Sequence, residues 1–312
     1  MKKYTEKEIP GSILPSLKEK LKIFKKQLKV LNPQTFSEIT RIYIFGKNEE
    51  FYNAGIFAQR ILEKYFKNFL ILVSYESEFF DSNERFFLNK QTLGIFISDT
   101  FNKELIESFI EKNGKILLIS PEKGVSNSFF QDTENTPEDT NFVYSIFFIY
   151  MISYMLLFEN FKTLKKEISD FIKNFKKENL DFHFIKKEKP KSIYILGRDV
   201  DYISAREAAR IFSRVNKIPS FSYLTDNFLN SSRGENIKAD DLVIIISSSK
   251  FQKKDYEVFK KLKEKTFSII IEEEYTNIPT ALFVPSINNN FLKLIIMSII
   301  FKNFALNLKE KN

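Results

Sequence analysis

Polar residues able to hold an anion follow two glycines that close matching apolar runs. Ile42-Tyr43-Ile44-Phe45-Gly46 returns 151 positions later as Ile193-Tyr194-Ile195-Leu196-Gly197. Lys47-Asn48 follows the first glycine and Arg198-Asp199 the second. A short apolar run closed by glycine is typical of a buried strand that turns into a helix, and the free N–H groups of a helix start attract anions. The repeat therefore predicts two equivalent candidate ligand sites.

Hydroxyl groups follow a second pair of apolar runs. Ser98 and Thr100 lie after one of them, with Asn102 just beyond, and Ser247 and Ser248 follow the corresponding run of the second half. Such hydroxyls can donate hydrogen bonds to an anion beside a helix start. Serines that end a strand are also ordinary turn residues, and both interpretations stay open for Ser247 and Ser248.

Carboxylates supply the candidates for acid–base chemistry. Glu49 and Glu50 follow the first glycine turn, and Glu207 lies in the helix after the second. The chain has no cysteine and one histidine, His183, so a thiolate nucleophile and a histidine metal cluster are excluded. A structural alternative is that Glu49 and Glu50 stabilise the first turn of a helix through its dipole, and that Glu207 is structural.

Composition narrows the class of protein. Net charge is +8 from 48 Lys+Arg against 40 Asp+Glu, and the lysines are spread along predicted helices instead of forming one basic patch. A nucleic-acid binder concentrates its positive charge, so we expect no nucleic-acid partner. The absence of cysteine fits a cytoplasmic location. We expect no metal and no cofactor.

One apolar segment reaches the length of a membrane helix. Thr140–Phe158 is 19 residues without a charge. Its counterpart in the second half, Asn290–Ala305, carries Lys293 and Lys302. Because related helices share one environment, we interpret both as buried helices of a protein that does not enter a membrane. The first is more apolar than one domain face requires, which predicts a homodimer.

Apolar periodicity predicts the order of the elements. A leader helix over residues 12–31 precedes the first half, and Phe161–Lys189 joins the halves as a charged helix and linker. The first half is predicted to have strands at Arg41–Phe45, Phe69–Val73, Leu93–Ile97 and Ile116–Ile119 and helices at Asn53–Lys67 and Phe101–Asn113. The second is predicted to have strands at Ser192–Leu196, Ser220–Tyr223, Leu242–Ile246, Phe267–Ile271 and Ala281–Val284 and helices at Tyr202–Asn216, Gln252–Lys265 and Asn290–Leu308.

Short apolar strands that alternate with helices predict an α/β fold with parallel sheets covered on both faces. The repeat predicts two tandem, doubly wound domains, residues 1–180 and 181–312, the first including the leader helix. Ligands of such sheets bind at the carboxyl ends of the strands. A dinucleotide fold would show Gly-x-Gly-x-x-Gly after its first strand, and only the first glycine is present in each half.

The segment Gly197-Arg198-Asp199-Val200-Asp201-Tyr202-Ile203-Ser204-Ala205-Arg206-Glu207-Ala208-Ala209 carries a resemblance to a known family. Together with the two tandem domains and the leader helix, it resembles the double sugar-isomerase (SIS) proteins. That family includes the isomerase half of glucosamine-6-phosphate synthase, the fructosamine-phosphate deglycases and related ketose–aldose isomerases. The resemblance implies two SIS-type, flavodoxin-like domains and a phosphosugar ligand.

The resemblance also implies where the ligand lies, and the chain departs from the family there. The family's first loop usually reads Gly-Cys-Gly-Thr/Ser-Ser, where this chain has Gly46–Glu50; its second reads Ser-Gln-Ser-Gly-Glu-Thr, where this chain has Ser98–Lys103. Ser98 and Thr100 keep two hydroxyls, and Lys47 or Lys103 could supply positive charge. Glu49, Glu50 and Asp99 would repel a phosphate.

The catalytic positions that the family implies are all altered. Arg214 stands where the family has a glutamate base, and the stretch Phe228–Gly234 lacks the family's histidine. Lys309 or Lys311 would be the remnant of the family's lysine-bearing tail. The sequence thus predicts a protein that binds a sugar phosphate or aminosugar phosphate, with altered or lost catalysis.

Two other functions stay open. The chain could be an active isomerase or deglycase with a divergent acid–base set drawn from Glu49, Glu50, Glu207 and the C-terminal lysines. It could also be an interaction protein without a small ligand.

Overall fold

The computed structural model describes most of the chain as two compact units. The described residues are Leu17, Leu21, Lys22, Lys25 and residues 38–65, 67–81, 83–98, 102–120, 130–131, 141–158, 161–175, 190–273, 278, 280–284 and 289–310. One unit ends at Lys173 and the other begins at Asn174. The boundary predicted near residue 180 lies outside the described residues. So does most of the predicted leader helix, of which Leu17 and Leu21 are helical and buried.

The first unit is a five-stranded parallel sheet with helices on it. Its strands are β1 (Arg41–Gly46), β2 (Leu70–Tyr75), β3 (Thr92–Ile97), β4 (Lys115–Ser120) and β5 (Phe130–Gln131), in the order β2-β1-β3-β4-β5. Its helices are α1 (Glu49–Tyr65), α2 (Glu76–Asp81), α3 (Lys103–Glu111), α4 (Asn141–Phe158) and α5 (Phe161–Phe175), and a 3₁₀ turn spans Asn83–Phe87. The short β5 was not predicted.

The second unit repeats this arrangement. Its strands are β6 (Ile193–Gly197), β7 (Ser220–Leu224), β8 (Leu242–Ser247), β9 (Phe267–Glu272) and β10 (Ala281–Phe283), in the order β10-β9-β8-β6-β7. Its helices are α6 (Val200–Asn216), α7 (Thr225–Phe228), α8 (Ser232–Glu235), α9 (Gln252–Lys263) and α10 (Asn290–Glu310), and a 3₁₀ turn spans Ser249–Phe251. The predicted doubly wound α/β fold and its fifth strand are confirmed.

Each sheet is buried because its strands are apolar on both faces. β3 and β8 are buried along their whole length and lie next to the first strand of their unit. In the first unit Tyr43, Phe45, Phe79, Phe96 and Phe109 pack edge-to-face and stacked on one side of the sheet. Aromatic pairs in these geometries stabilise a core beyond the area that they bury.

In each unit a long apolar helix packs on the helix that follows the glycine turn. α4 contacts α1, and α10 contacts α6. The predicted burial of both apolar segments is confirmed, since the described side chains from Phe142 to Ser153 and from Phe291 to Phe301 are all buried. In the described part of the chain, one helix, Asn290–Leu308, is long and apolar enough to cross a membrane, and 78% of its apolar window is buried within the protein. α4 offers no exposed apolar face over Phe142–Ser153, so the homodimer stays a prediction.

Helix α1 begins at Glu49, four residues earlier than predicted. The side-chain oxygen of Asn48 accepts a hydrogen bond from the Phe51 N–H at 3.1 Å, so Asn48 caps the helix. Glu49 and Glu50 lie in its first turn, where the helix dipole favours negative charge. The turn from β1 into α1 is therefore shorter than the apolar pattern alone suggests.

Glycine is required sterically at both of these turns. A Cβ atom on Gly46 would lie 2.3 Å from the Tyr52 backbone nitrogen, and one on Gly197 would lie 2.4 Å from the Asp201 carbonyl oxygen. Both obstacles are backbone atoms of the following helix, which cannot rotate away. The repeated glycine thus allows the helix to start directly against the end of the strand.

We predict that Gly46→Ala destabilises the protein and Gly55→Ala does not. The first substitution forces the α1 backbone away from β1, and overpacking of this kind costs about 1–3 kcal/mol or more. At Gly55 the nearest atoms are methyl groups of Val73 and Ile44, at 3.0 and 3.2 Å. The added helix propensity of alanine, about 1 kcal/mol, offsets that strain. Urea unfolding of both variants measures the difference, and equal midpoints would contradict the steric explanation.

Candidate functional site

The strand order of each sheet reverses next to its first strand, which creates two candidate ligand sites. In the first unit the reversal lies between β1 and β3, where the chain leaves for α1 and α3. In the second unit it lies between β6 and β8. A crevice forms where neighbouring connections leave on opposite faces of a parallel sheet, and ligands bind there. The two sites thus have the same backbone geometry, and they differ in their side chains.

Asparagine side chains cap both helices at the first site. Asn48 caps α1, and Asn102 accepts a hydrogen bond from the Leu105 N–H at 3.2 Å to cap α3. Each asparagine therefore accepts a hydrogen bond from one backbone N–H group that the helix itself leaves unpaired. Lys47, Asn48 and Lys103 are exposed, and Asn102 is half-buried.

Ser98 lies buried at the end of β3, beside the end of β1. Its backbone N–H donates to the Ile119 carbonyl oxygen at 3.1 Å, which extends the β3–β4 ladder by one residue. Thr100 and Asp99 lie outside the described residues. The structure therefore places Ser98 and Asn102 at the carboxyl ends of the strands, as it does Lys47 and Asn48, and the sequence predicts this position.

The Glu50 carboxylate forms a hydrogen bond between two helices. Its carboxylate oxygen accepts a hydrogen bond at 2.8 Å from the Phe142 N–H, in the first turn of α4, and the side chain is 5% exposed. A carboxylate that accepts such a bond from a helix start is stabilised as an anion. Glu50 therefore ties the start of α1 to the start of α4, while its neighbour Glu49 is exposed to solvent.

Ion pairs fill the second site. Arg198, 6% exposed, donates from Nε to Asp255 at 2.6 Å and from Nη1 to Asp226. The buried ammonium of Lys293 in α10 contacts Asp201 at 2.8 Å and Glu273 at 2.7 Å. Two cations are thus paired with four carboxylates in this cluster.

Ser247 and Ser248 belong to the same network. Burial raises the pKa of the Asp201 carboxylate, and the neighbouring Ser248 hydroxyl opposes that rise. Burial also raises the pKa of Asp255, which lies near the Ser247 hydroxyl without a hydrogen bond between them. Both serines thus face carboxylates of the chain itself, which also repel an anionic ligand.

Burial shifts the pKa values of the charged groups in this network. Desolvation raises the pKa of Asp201 and of Asp255 above 3.8, against the opposing effects of Lys293 and Arg198. Desolvation also disfavours the Lys293 ammonium, but Asp201 and Glu273 outweigh it and raise the pKa of Lys293 above 10.5. Lys293 therefore stays charged at neutral pH.

Glu207 is paired within its own helix. Both carboxylate oxygens accept hydrogen bonds from Arg210, at 2.6 and 2.9 Å, and the Glu207 side chain is buried. Arg214, where the family has its base, is exposed. His183 and Lys311 lie outside the described residues, as does the Lys309 side chain.

The contacts that Glu50 and Asp201 make with other helices were not predicted from the sequence, although the repeat places these two residues at equivalent positions. Glu50 and Asp201 are equivalent positions, 151 residues apart, in the helix that follows each glycine turn. Each contacts the first turn of the long apolar helix of its unit, Glu50 at the Phe142 N–H and Asp201 at Lys293. Among the described residues, no three metal-ligating side chains converge.

Comparisons with known proteins confirm the family resemblance. Residues 187–271 match the model of the SIS domain, so the second unit contains a SIS domain. No curated protein matches the sequence. The matches to solved structures extend over the whole chain, although their low sequence identity supports the fold alone.

Three solved structures illustrate this fold. A candidate phosphosugar isomerase from Clostridium difficile 630 has a TM-score of 0.74 at 17% identity, covering 95% of this chain and 93% of that one. The C-terminal domain of glucosamine-fructose-6-phosphate aminotransferase from Francisella tularensis has a TM-score of 0.74 at 14% identity, covering 100% and 98%. Tagatose-6-phosphate ketose/aldose isomerase from Escherichia coli has a TM-score of 0.70 at 15% identity, covering 99% and 95%.

We predict that Lys293→Met destabilises the protein and makes its stability depend on pH. Breaking a buried ion pair costs about 3–5 kcal/mol at neutral pH, because two carboxylates lose their cation. The pKa of Asp201 then rises further above 3.8 in the folded state, so the folded protein binds a proton that the unfolded chain releases. Stability of the variant should fall as pH rises from the unfolded pKa through the folded one.

Thermal unfolding between pH 5 and pH 8 measures this effect. The loss relative to the parent protein should be smaller at pH 5 than at pH 8. Lys191→Met, which breaks the exposed pair with Asp240, is the control and should change stability little at either pH. A loss at Lys293→Met that is independent of pH would show that packing, not charge, holds this site.

We predict that Glu50→Ala destabilises the protein more than Glu50→Gln. Alanine leaves the buried Phe142 N–H without an acceptor, which costs about 1–3 kcal/mol, whereas the glutamine amide oxygen can replace the carboxylate. Chemical denaturation of both variants measures the difference. If glutamine and alanine were equally destabilising, the negative charge of Glu50 would matter more than its hydrogen bond.

Proposed function

We propose that this chain binds a sugar phosphate or aminosugar phosphate at the strand ends of its first unit, with altered or lost isomerase catalysis. The fold supports this proposal, because neighbours with the same two-domain fold are named as enzymes of phosphosugars. The chemistry of the two sites supports the choice of the first unit. The phosphate would lie between the Lys47-Asn48 turn and the start of α3.

The observation that carries the proposal is the difference between the two sites. At the second site the cations Arg198 and Lys293 are already bound by carboxylates of the chain. At the first site the side chains that serve the helix starts are neutral asparagines, and Lys47 and Lys103 are exposed nearby. An anion would therefore meet neutral asparagine caps with exposed lysines beside them at the first site, and four carboxylates in one cluster at the second.

The acidic residues of the first loop do not prevent this binding. Glu50 directs its carboxylate to the start of α4, whose dipole compensates the charge. Glu49 is exposed, and solvent screens an exposed charge. Hydroxyl and amide groups at Ser98, Thr100 and Asn102 would complete the first site, whereas Ser247 and Ser248 would serve the ion network of the second unit.

The state of the candidate bases supports a loss of catalysis. Proton transfer between neighbouring sugar carbons needs a base near the substrate with a suitable pKa. Glu207 is held by Arg210 and Glu50 by the Phe142 N–H. In the described part of the first site, the carboxylates of Glu49 and Glu104 are exposed to solvent.

We predict that fructose-6-phosphate or glucosamine-6-phosphate raises the Tm of the full chain without being converted. Ser98→Ala should reduce this stabilisation, and Ser247→Ala at the equivalent strand end should not. Thermal-shift titration measures binding, and an isomerase assay on each ligand measures turnover. The Tm of each variant without ligand is the control for folding.

Each outcome selects one function. Turnover of a stabilising ligand would identify an active isomerase or deglycase with a divergent acid–base set. The absence of stabilisation by any sugar phosphate would favour an interaction protein. A loss of binding in Ser247→Ala but not in Ser98→Ala would place the ligand in the second unit.

A further inference from the structure

Two tyrosines stack at the edge of the first site. Tyr52 lies in the first turn of α1, and Tyr75 is the last residue of β2. Their ring centroids are 4.2 Å apart and their planes differ by 8°, so the rings are parallel. Both side chains are partly exposed. Aromatic rings of a packed core are more often fully buried, as Phe45 and Phe96 are in the same unit.

The tyrosine pair is adjacent to the proposed phosphate position. Tyr75 is the register partner of Gly46 across the β1–β2 ladder, one strand spacing of about 4.8 Å away. The Tyr52 backbone packs directly on Gly46. The pair thus forms a wall on the β2 side of the turn that begins with Lys47.

The second unit has no such wall at the equivalent positions. Ile203 corresponds to Tyr52 in the repeat and is buried. Leu224 ends β7 and is the register partner of Gly197, as Tyr75 is of Gly46. The aromatic pair therefore occurs in the unit proposed to bind a ligand, and aliphatic residues occur in the unit whose site is filled by ion pairs.

We propose that Tyr52 and Tyr75 select sugar phosphates whose ring is closed. One face of a pyranose carries only C–H groups, and such a face packs on the electron-rich face of an aromatic ring. An open-chain sugar phosphate offers no flat face of this kind. This inference rests on the proposed function, and it makes the ligand a cyclic sugar phosphate held without ring opening.

The inference also agrees with the altered catalytic positions. An aldose–ketose isomerisation proceeds through an open-chain sugar, because the proton moves between carbons beside a free carbonyl group. A wall that favours the closed ring stabilises the form that cannot react. Tight binding of the closed ring and isomerisation of the open chain thus require different surroundings for the sugar. The described residues favour binding of the closed ring.

Calorimetric titration of the full chain with three ligands tests the inference. We predict that 1,5-anhydroglucitol 6-phosphate, whose ring cannot open, binds more tightly than glucitol 6-phosphate, which has no ring. Tyr75→Leu should weaken binding of the closed-ring ligand about two- to tenfold and leave the affinity for inorganic phosphate unchanged. Tyr75→Phe should keep the parent affinity, because it retains the ring.

Controls separate this inference from the proposed function. Phe87→Leu removes an exposed aromatic ring that precedes β3, at the amino ends of the strands and away from the candidate site. This variant should not change any of the three affinities. Tyr52→Leu is a second test should Tyr75→Leu fail to fold. Binding of both sugar phosphates with equal affinity, or a closed-ring preference that survives both leucine variants, would overturn the inference and leave the proposed function intact. No binding of either sugar phosphate would refute the proposed function itself.

Discussion

The close approach of a helix start to a strand end is the constraint on which both units depend. Gly46 and Gly197 leave no room for a Cβ atom, so α1 and α6 begin directly at the ends of β1 and β6. One carboxylate per unit then joins this helix start to the long apolar helix of the unit, Glu50 to α4 and Asp201 to α10. The glycine positions the first helix against the sheet, and the carboxylate positions the long apolar helix against the first. The same two features therefore organise both units.

The two carboxylates achieve the same geometry with different charges, and this difference changes what each strand end can bind. Glu50 contacts a backbone N–H, which adds no formal charge. Asp201 forms an ion pair with Lys293, whose buried ammonium also pairs with Glu273. Nearby, Arg198 forms ion pairs with Asp226 and Asp255. A buried cation requires partners, because an unpaired charge in the interior is costly. The second unit thus has ion pairs at its candidate ligand site, whereas the equivalent carboxylate of the first unit contacts a backbone N–H.

Most of the fold could be predicted from the sequence, because apolar periodicity is a local signal. The strands of both halves lie within one or two residues of their predicted positions, and the two long apolar helices are buried as expected. The start of α1 was predicted four residues too late, because its cap, Asn48, is polar and carries no periodic signal. The candidate site was predictable only as a position on the sheet. Glu50 contacts Phe142 and Lys293 contacts Asp201, and in each pair the two residues are 92 positions apart in the sequence. No local sequence pattern reveals contacts over such a separation.

The equivalent strand order of the two units allows the two sites to be compared position by position. At equivalent positions the first unit has Tyr75 and an asparagine-capped helix, whereas the second has Leu224 and a helix whose Asp199 makes no side-chain cap. Stability and binding make different demands on such a site, since side chains that satisfy one another leave fewer groups for a ligand. The ion pairs of the second unit therefore connect its helices at the expense of its ligand position. Glu50 provides the corresponding connection in the first unit through a backbone hydrogen bond, so this connection places no buried ion pair at the strand end that is proposed to bind a sugar phosphate.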